Sequence, residues 1–144
     1  MSADKIFELA NTFALFGWVL LLLVQPIWMH TTKLVTGLIV TILCITYAWM
    51  LFGGFSLSTL SSFGTLEGVM TLFKDKNMVT AGWLHYLAFD LFIGSWICTN
   101  ARKHGISHWW LIPCLLLCFM MGPVGLFLYF VIRTVSTKSY FAEN

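Results

Sequence analysis

The sequence predicts an all-α polytopic membrane protein: a four-helix bundle with an interfacial amphipathic segment between its second and third helices. Three observations carry this expectation. Of the 144 residues, 59% are hydrophobic and only 10% charged, whereas charged residues make up about a quarter of a soluble globular protein. Four apolar runs each approach the length of about 20 residues that an α-helix needs to cross the hydrocarbon core. Between the second and third runs lies a more polar stretch whose apolar residues still recur at helical spacing. Residues 1–144 read as one integral membrane domain.

The first span is expected over residues 7–28. It is N-terminal but lacks a basic leader and a small-residue cleavage site, so it reads as a retained anchor. The second is expected over 34–54. Residues 55–77 are too polar and Ser/Gly-rich to cross, yet Phe63, Leu66, Val69, Met70 and Phe73 would form one face of an interfacial helix, with Ser62 as its cap. Glu67 in that segment is either a solvated carboxylate or a second acid aimed into the bundle. The third span is expected over 79–99 and the fourth over 109–132.

The net charge of +2 is small and scattered, and no basic cluster with interleaved aromatics offers a nucleic-acid surface. With four spans, Lys5, Lys74, Lys76, Arg133 and Lys138 share one side and Lys33, Arg102 and Lys103 the other, which leans toward cytoplasmic termini. Cys44, Cys98, Cys114 and Cys118 all lie in apolar runs and read as small buried hydrophobes. Cys114 and Cys118 share a helix face, but no second pair with zinc-type spacing supports a metal site.

The chemistry concentrates in the third span. Asp90 is the only acidic residue in the middle of a long apolar run, and an ionisable group there is costly enough to mark a candidate functional site. On a helical wheel Trp83, Tyr86, Asp90 and Ile97 form one stripe, and His85, Phe89, Phe92 and Trp96 another. His85 and Asp90 are about 140° apart, so they do not pair directly on a regular helix. Each finds its partner elsewhere, or the two flank one groove. Simple structural roles stand beside these: a membrane histidine can serve only to hold helices together, and an aromatic stripe can be packing.

The fourth span contains Pro113 and then Gly122-Pro123-Val124-Gly125. Pro123 lacks a backbone donor and should kink or break the helix near residues 122–125. Such a break either shapes a cavity or forms a notch for another backbone. Arg133 closes the span as an interfacial anchor, with a catalytic counter-charge as the other option. Trp28, Trp109 and Trp110 read as interfacial belt residues.

GWLHYLAFDLFIG at 82–94, Trp96, PCLLLCFMMGPVGLFLYFVIR at 113–133 and SFGTLEGVMTLF at 62–73 together resemble the abscisic-acid-deficient-four-like family. That family includes plant neoxanthin synthase and small bacterial relatives, and the resemblance covers about residues 10–135. The chain shows no obvious plastid transit peptide, so a bacterial relative in an inner membrane is the expectation.

The resemblance implies a membrane protein of xanthophyll metabolism, the plant members being needed to form neoxanthin from violaxanthin. That conversion is redox-neutral: an epoxide opens while a proton leaves a neighbouring polyene carbon, giving an allene and a hydroxyl. It needs an acid and a base but no cofactor and no metal. Asp90 and His85 are the candidate catalytic pair, the desolvated carboxyl suiting the donor and a neutral imidazole the acceptor, with the reverse also open. Trp83, Tyr86, Phe89, Trp96, Glu67 and Pro123 are the candidate substrate-binding residues around a rigid polyene.

An isomerase-like enzyme is one class. A non-catalytic carotenoid- or lipid-binding scaffold for a partner enzyme is the alternative. A transporter would need a second buried charge, and a haem site would need facing histidines, whereas only His85 lies deep in a span. Expected partners are a lipophilic polyene or lipid substrate and membrane lipid, with a homo-oligomer as an option.

Overall fold

The computed structural model describes residues 1–53 and 57–138. Gly54 and Phe55, at the edges of two expected elements, lie outside them. Among the described residues every regular element is helical: α1 (Ala3–Val24), α2 (Thr31–Gly53), α3 (Leu57–Ser62), α4 (Leu66–Leu72), α5 (Lys76–Lys103) and α6 (His108–Thr137). Of these, α1, α2 and α6 are long and apolar enough to cross a membrane.

The surface has the character such a protein requires. Phe13, Leu15, Phe16, Val19, Leu23, Leu38 and Ile45 point outward, while Thr80, Asp90, Ser95 and Asn100 of α5 point inward. In lipid, polar side chains gain by turning toward protein, and aliphatic ones lose nothing by facing acyl chains. The more polar α5 is therefore the helix the others pack around. Gly17 of α1 receives Leu91, and Gly94 of α5 receives Trp18, so these helices approach closely along one seam.

Two contacts fix how α1 runs beside α5. Lys76 pairs with Asp4 at 2.7 Å where both helices start. Arg102 donates to the Met29 carbonyl at 3.1 Å where both finish. The two are parallel, and α2 returns antiparallel to them, packed mainly against α5. Wide π-type turns at Leu20–Val24 and Val35–Val40 loosen α1 and α2 near the Arg102 end.

The interfacial segment is two short helices rather than one. Thr65, not Ser62, caps the second, its hydroxyl accepting from the Gly68 N–H at 3.1 Å. Phe63, Leu66, Met70 and Phe73, the residues expected on its apolar face, remain exposed.

The largest departure from a regular bundle is in α6. At Met121 the backbone leaves the helical region (φ −148°, ψ 52°), immediately ahead of the stretch expected to break. The chain then doubles back: the Gly125 backbone lies directly against Cys118 and the Cys114 carbonyl, with room for no side chain between them. In a continuous helix, residues seven apart would be separated by about 10 Å. The two halves are about 20 and about 24 Å long at 1.5 Å per residue, short of the ~30 Å hydrocarbon core. They form a hairpin whose tip sits beside Asp90, halfway along α5.

The hairpin changes the expected topology. Thr137 and Lys138 return to the Arg102 end, so Lys138 and Ser2 lie at opposite ends of the described residues instead of sharing one. Lys33, Arg102, Lys103, Arg133 and Lys138 then gather at one end, while Asp4, Glu8, Glu67 and Asp75 join Lys5, Lys74 and Lys76 at the other. The charge bias between the two ends is thus the reverse of the one expected from four full spans. Single reporters at Ser2 and Lys138 should react with a membrane-impermeant reagent from opposite faces. Reaction of both from one face would require the unbroken fourth span.

Candidate functional site

Breaking α6 creates two unsatisfied helix ends inside the protein, and α5 meets both with residues one turn apart. Pro123 has no N–H to offer the Phe119 carbonyl four residues earlier. The Tyr86 hydroxyl donates to the neighbouring Met120 carbonyl at 3.0 Å, with the Phe119 oxygen at 3.5 Å. It thereby closes the C-terminal end of the first half.

Asp90 sits at the start of the second half, where the helix dipole presents its positive end. The carboxyl is pressed against Gly122, so that a β-carbon there would fall 2.1 Å from Oδ1. Only glycine admits the carboxyl at this position. Asp90 is 8% exposed, and its buried Oδ2 has no hydrogen-bond partner among the described residues. A buried acceptor without a partner is uncommon enough to call for a role or a ligand. Tyr86 is close enough to interact with the carboxyl across the turn. Cys118 contributes a 3.6 Å thiol contact to the Asp90 carbonyl.

The hairpin also leaves a space. Both halves of α6 lie along the second half of α5, and the hairpin tip reaches the first half where Tyr86 meets Met120, leaving the turns before it uncovered by α6. There the rings of Phe7, Trp83 and Tyr86 form a continuous shelf, with centroids 5.6 and 5.3 Å apart. Trp83 is fixed by donation to the Asn11 side-chain oxygen at 2.9 Å. Exposed Met120 and Met121 lie at the foot of the shelf, beside Tyr86 and Asp90. The result is an aromatic wall open to the side, with a carboxyl at its base.

The other expected residues fall elsewhere. His85 faces away from Asp90, stacked on Phe89 at 4.6 Å and edge-on to Tyr47 at 5.5 Å. It lines a separate cavity of about 280 Å³ with Phe63, Phe73 and Gly82, beneath the interfacial helices. The 140° separation on the wheel accounts for this, and the common cavity for His85 and Asp90 does not form. Phe89 lines an apolar cleft with Val40 and Cys44. Trp96 packs edge-on against Tyr129 at 5.8 Å in the second half of α6. Glu67 is exposed in the first turn of α4. Pro123 is exposed at the hairpin tip, next to Gly122 and Asp90.

One polar group was not anticipated. Arg133 is 0% exposed, not an interfacial anchor. It donates to the Asn100 side-chain oxygen at 3.2 Å, and the Tyr129 hydroxyl donates to the same atom at 2.5 Å. A straight helix would have carried Arg133 to the membrane surface; the fold-back brings it alongside α5. Among the described residues no group of three or more His, Cys, Asp or Glu side chains could hold a metal ion.

A family profile described as ABA DEFICIENT 4-like matches residues 5–129. Comparison with curated proteins finds no match. Comparison with solved structures finds none either.

Proposed function

Because the chain belongs to the ABA DEFICIENT 4-like family, we propose that it is a membrane carotenoid (xanthophyll) isomerase-like enzyme that moves a proton on a lipophilic polyene, with Asp90 as the group that moves it. The observation that carries the proposal is the pairing of a buried, partly unpartnered carboxyl with a neighbouring phenol at the foot of an open aromatic wall. The polyene lies along Phe7, Trp83 and Tyr86, entering sideways from the bilayer, and places its reacting end at Asp90.

For an epoxide-bearing substrate, the Asp90 carboxylate removes a proton from the polyene carbon while Tyr86 donates its phenolic proton to the epoxide oxygen. The C–H and C–O bonds break, an O–H bond forms and the electron pair becomes the allene. Asp90 then returns the proton to Tyr86 across one helical turn, so the cycle neither consumes nor releases a proton. His85 stands outside this scheme and serves the cavity under the interfacial helices.

The alternative is a carotenoid-binding scaffold in which Asp90 only braces the hairpin, a reading favoured by its tight seating on Gly122. Expression in a host that makes epoxy-xanthophylls, followed by extraction of the purified protein, separates these. The enzyme reading expects an allenic isomer to accumulate in the host. The scaffold reading expects bound but unaltered pigment.

A further inference from the structure

At the Arg102 end, remote from Asp90, a cavity of about 240 Å³ opens between the end of α1, the end of α5 and the start of α6. Its floor is apolar, formed by Cys98, Ile106 and Leu111, but three polar side chains line it: Gln25, Arg102 and His108. Gln25 is only 5% exposed, and it lines this opening, where its carboxamide is available to a ligand.

His108 places Nε2 3.0 Å from the Leu22 carbonyl. A carbonyl only accepts, so Nε2 carries the proton, and a neutral ring presents Nδ1 as an acceptor. That Nδ1 is buried and has no partner among the described residues. Arg102 uses one nitrogen on the Met29 carbonyl, leaving others for an anion. The first turn of α6 adds the positive end of a long helix.

We propose that this cavity binds the headgroup of an anionic phospholipid. Its phosphate is held by Arg102 and the Gln25 amide N–H groups, beside the His108 ring. A membrane source is favoured over free phosphate for two reasons. Exposed Trp28, Trp109 and Trp110 mark this end as the headgroup level. Lys33, Lys103 and Lys138 make it strongly basic, while every acidic residue described outside α5 lies at the other end.

The test uses the purified full chain, with thermal unfolding followed as phosphatidylglycerol, phosphatidylcholine or inorganic phosphate is added. Phosphatidylglycerol should stabilise the protein at concentrations at least about fivefold lower than phosphatidylcholine, the effect of roughly one charge contact. Arg102→Gln and Gln25→Leu should each erase that preference, and Lys103→Gln, outside the cavity, should keep it. Native mass spectrometry of retained lipid gives a second readout should a variant unfold early. Equal preference in the cavity variants and the wild type would overturn the site. An equal loss in Lys103→Gln would reduce it to general surface charge, and full stabilisation by inorganic phosphate alone would overturn the lipid source.

Discussion

Asp90→Asn should yield a protein that inserts and folds but whose turnover falls by about 10² or more, the usual contribution of a positioned proton-transfer group. The amide nearly matches the carboxyl in size, so it still fits against Gly122, but it does not titrate. Were Asp90 only a brace, the amide would replace it with little loss, since interhelical hydrogen bonds in membranes average about 0.6 kcal/mol. Tyr86→Phe separates the two duties of the phenol: the ring stays on the aromatic wall while the proton and the contact to Met120 are lost. Pigment analysis at equal amounts of folded protein reads both variants, and a fully active Asp90→Asn would leave the scaffold reading ahead.

The two glycines of the hairpin should fail in different ways when replaced by alanine. At Gly125 a β-carbon would lie 2.3 Å from the Cys118 nitrogen and 2.4 Å from the Cys114 oxygen. Both are backbone atoms of the facing half-helix, so the halves themselves must separate. Overpacking of this kind costs about 1–3 kcal/mol, and more where backbone is the obstacle. At Gly122 the obstacle is the Asp90 side chain, which can swing aside at less cost but then loses its position. Gly125→Ala should therefore lower thermal stability, whereas Gly122→Ala should lower activity well beyond its effect on stability. Equal stability losses with activity retained at Gly122 would show that the seating of Asp90 does not matter.

The helical class was legible because a chain this poor in charge has few other ways to satisfy its backbone in lipid. So was the inward position of Asp90, the lone acid in an apolar run, and its separation from His85 followed from helical arithmetic. The motif at 122–125 announced a break but not its angle. Pro123 allows anything from a bend to a reversal, and the decision lies with Gly125, which lets one half of the helix rest on the other. With that reversal unseen, Arg133 read as an anchor and the termini as neighbours. Asn100, the residue that receives Arg133, stands near the end of an apolar run, where an asparagine looks like ordinary interface. Thr65 outcompeted Ser62 as a cap because the segment divides at Gly64, which moves the helix start three residues onward.

In the proposed function the protein itself rearranges a polyene through Asp90. The direct measurement is incubation of the purified chain in lipid nanodiscs with an epoxy-xanthophyll, wild type beside Asp90→Asn, with products separated by chromatography and identified by mass and absorption spectra. An isomer of unchanged mass with an allenic, shortened chromophore should form with wild type and form about 10² more slowly with the variant. Pigment bound by both proteins and recovered unchanged from both would contradict the claim.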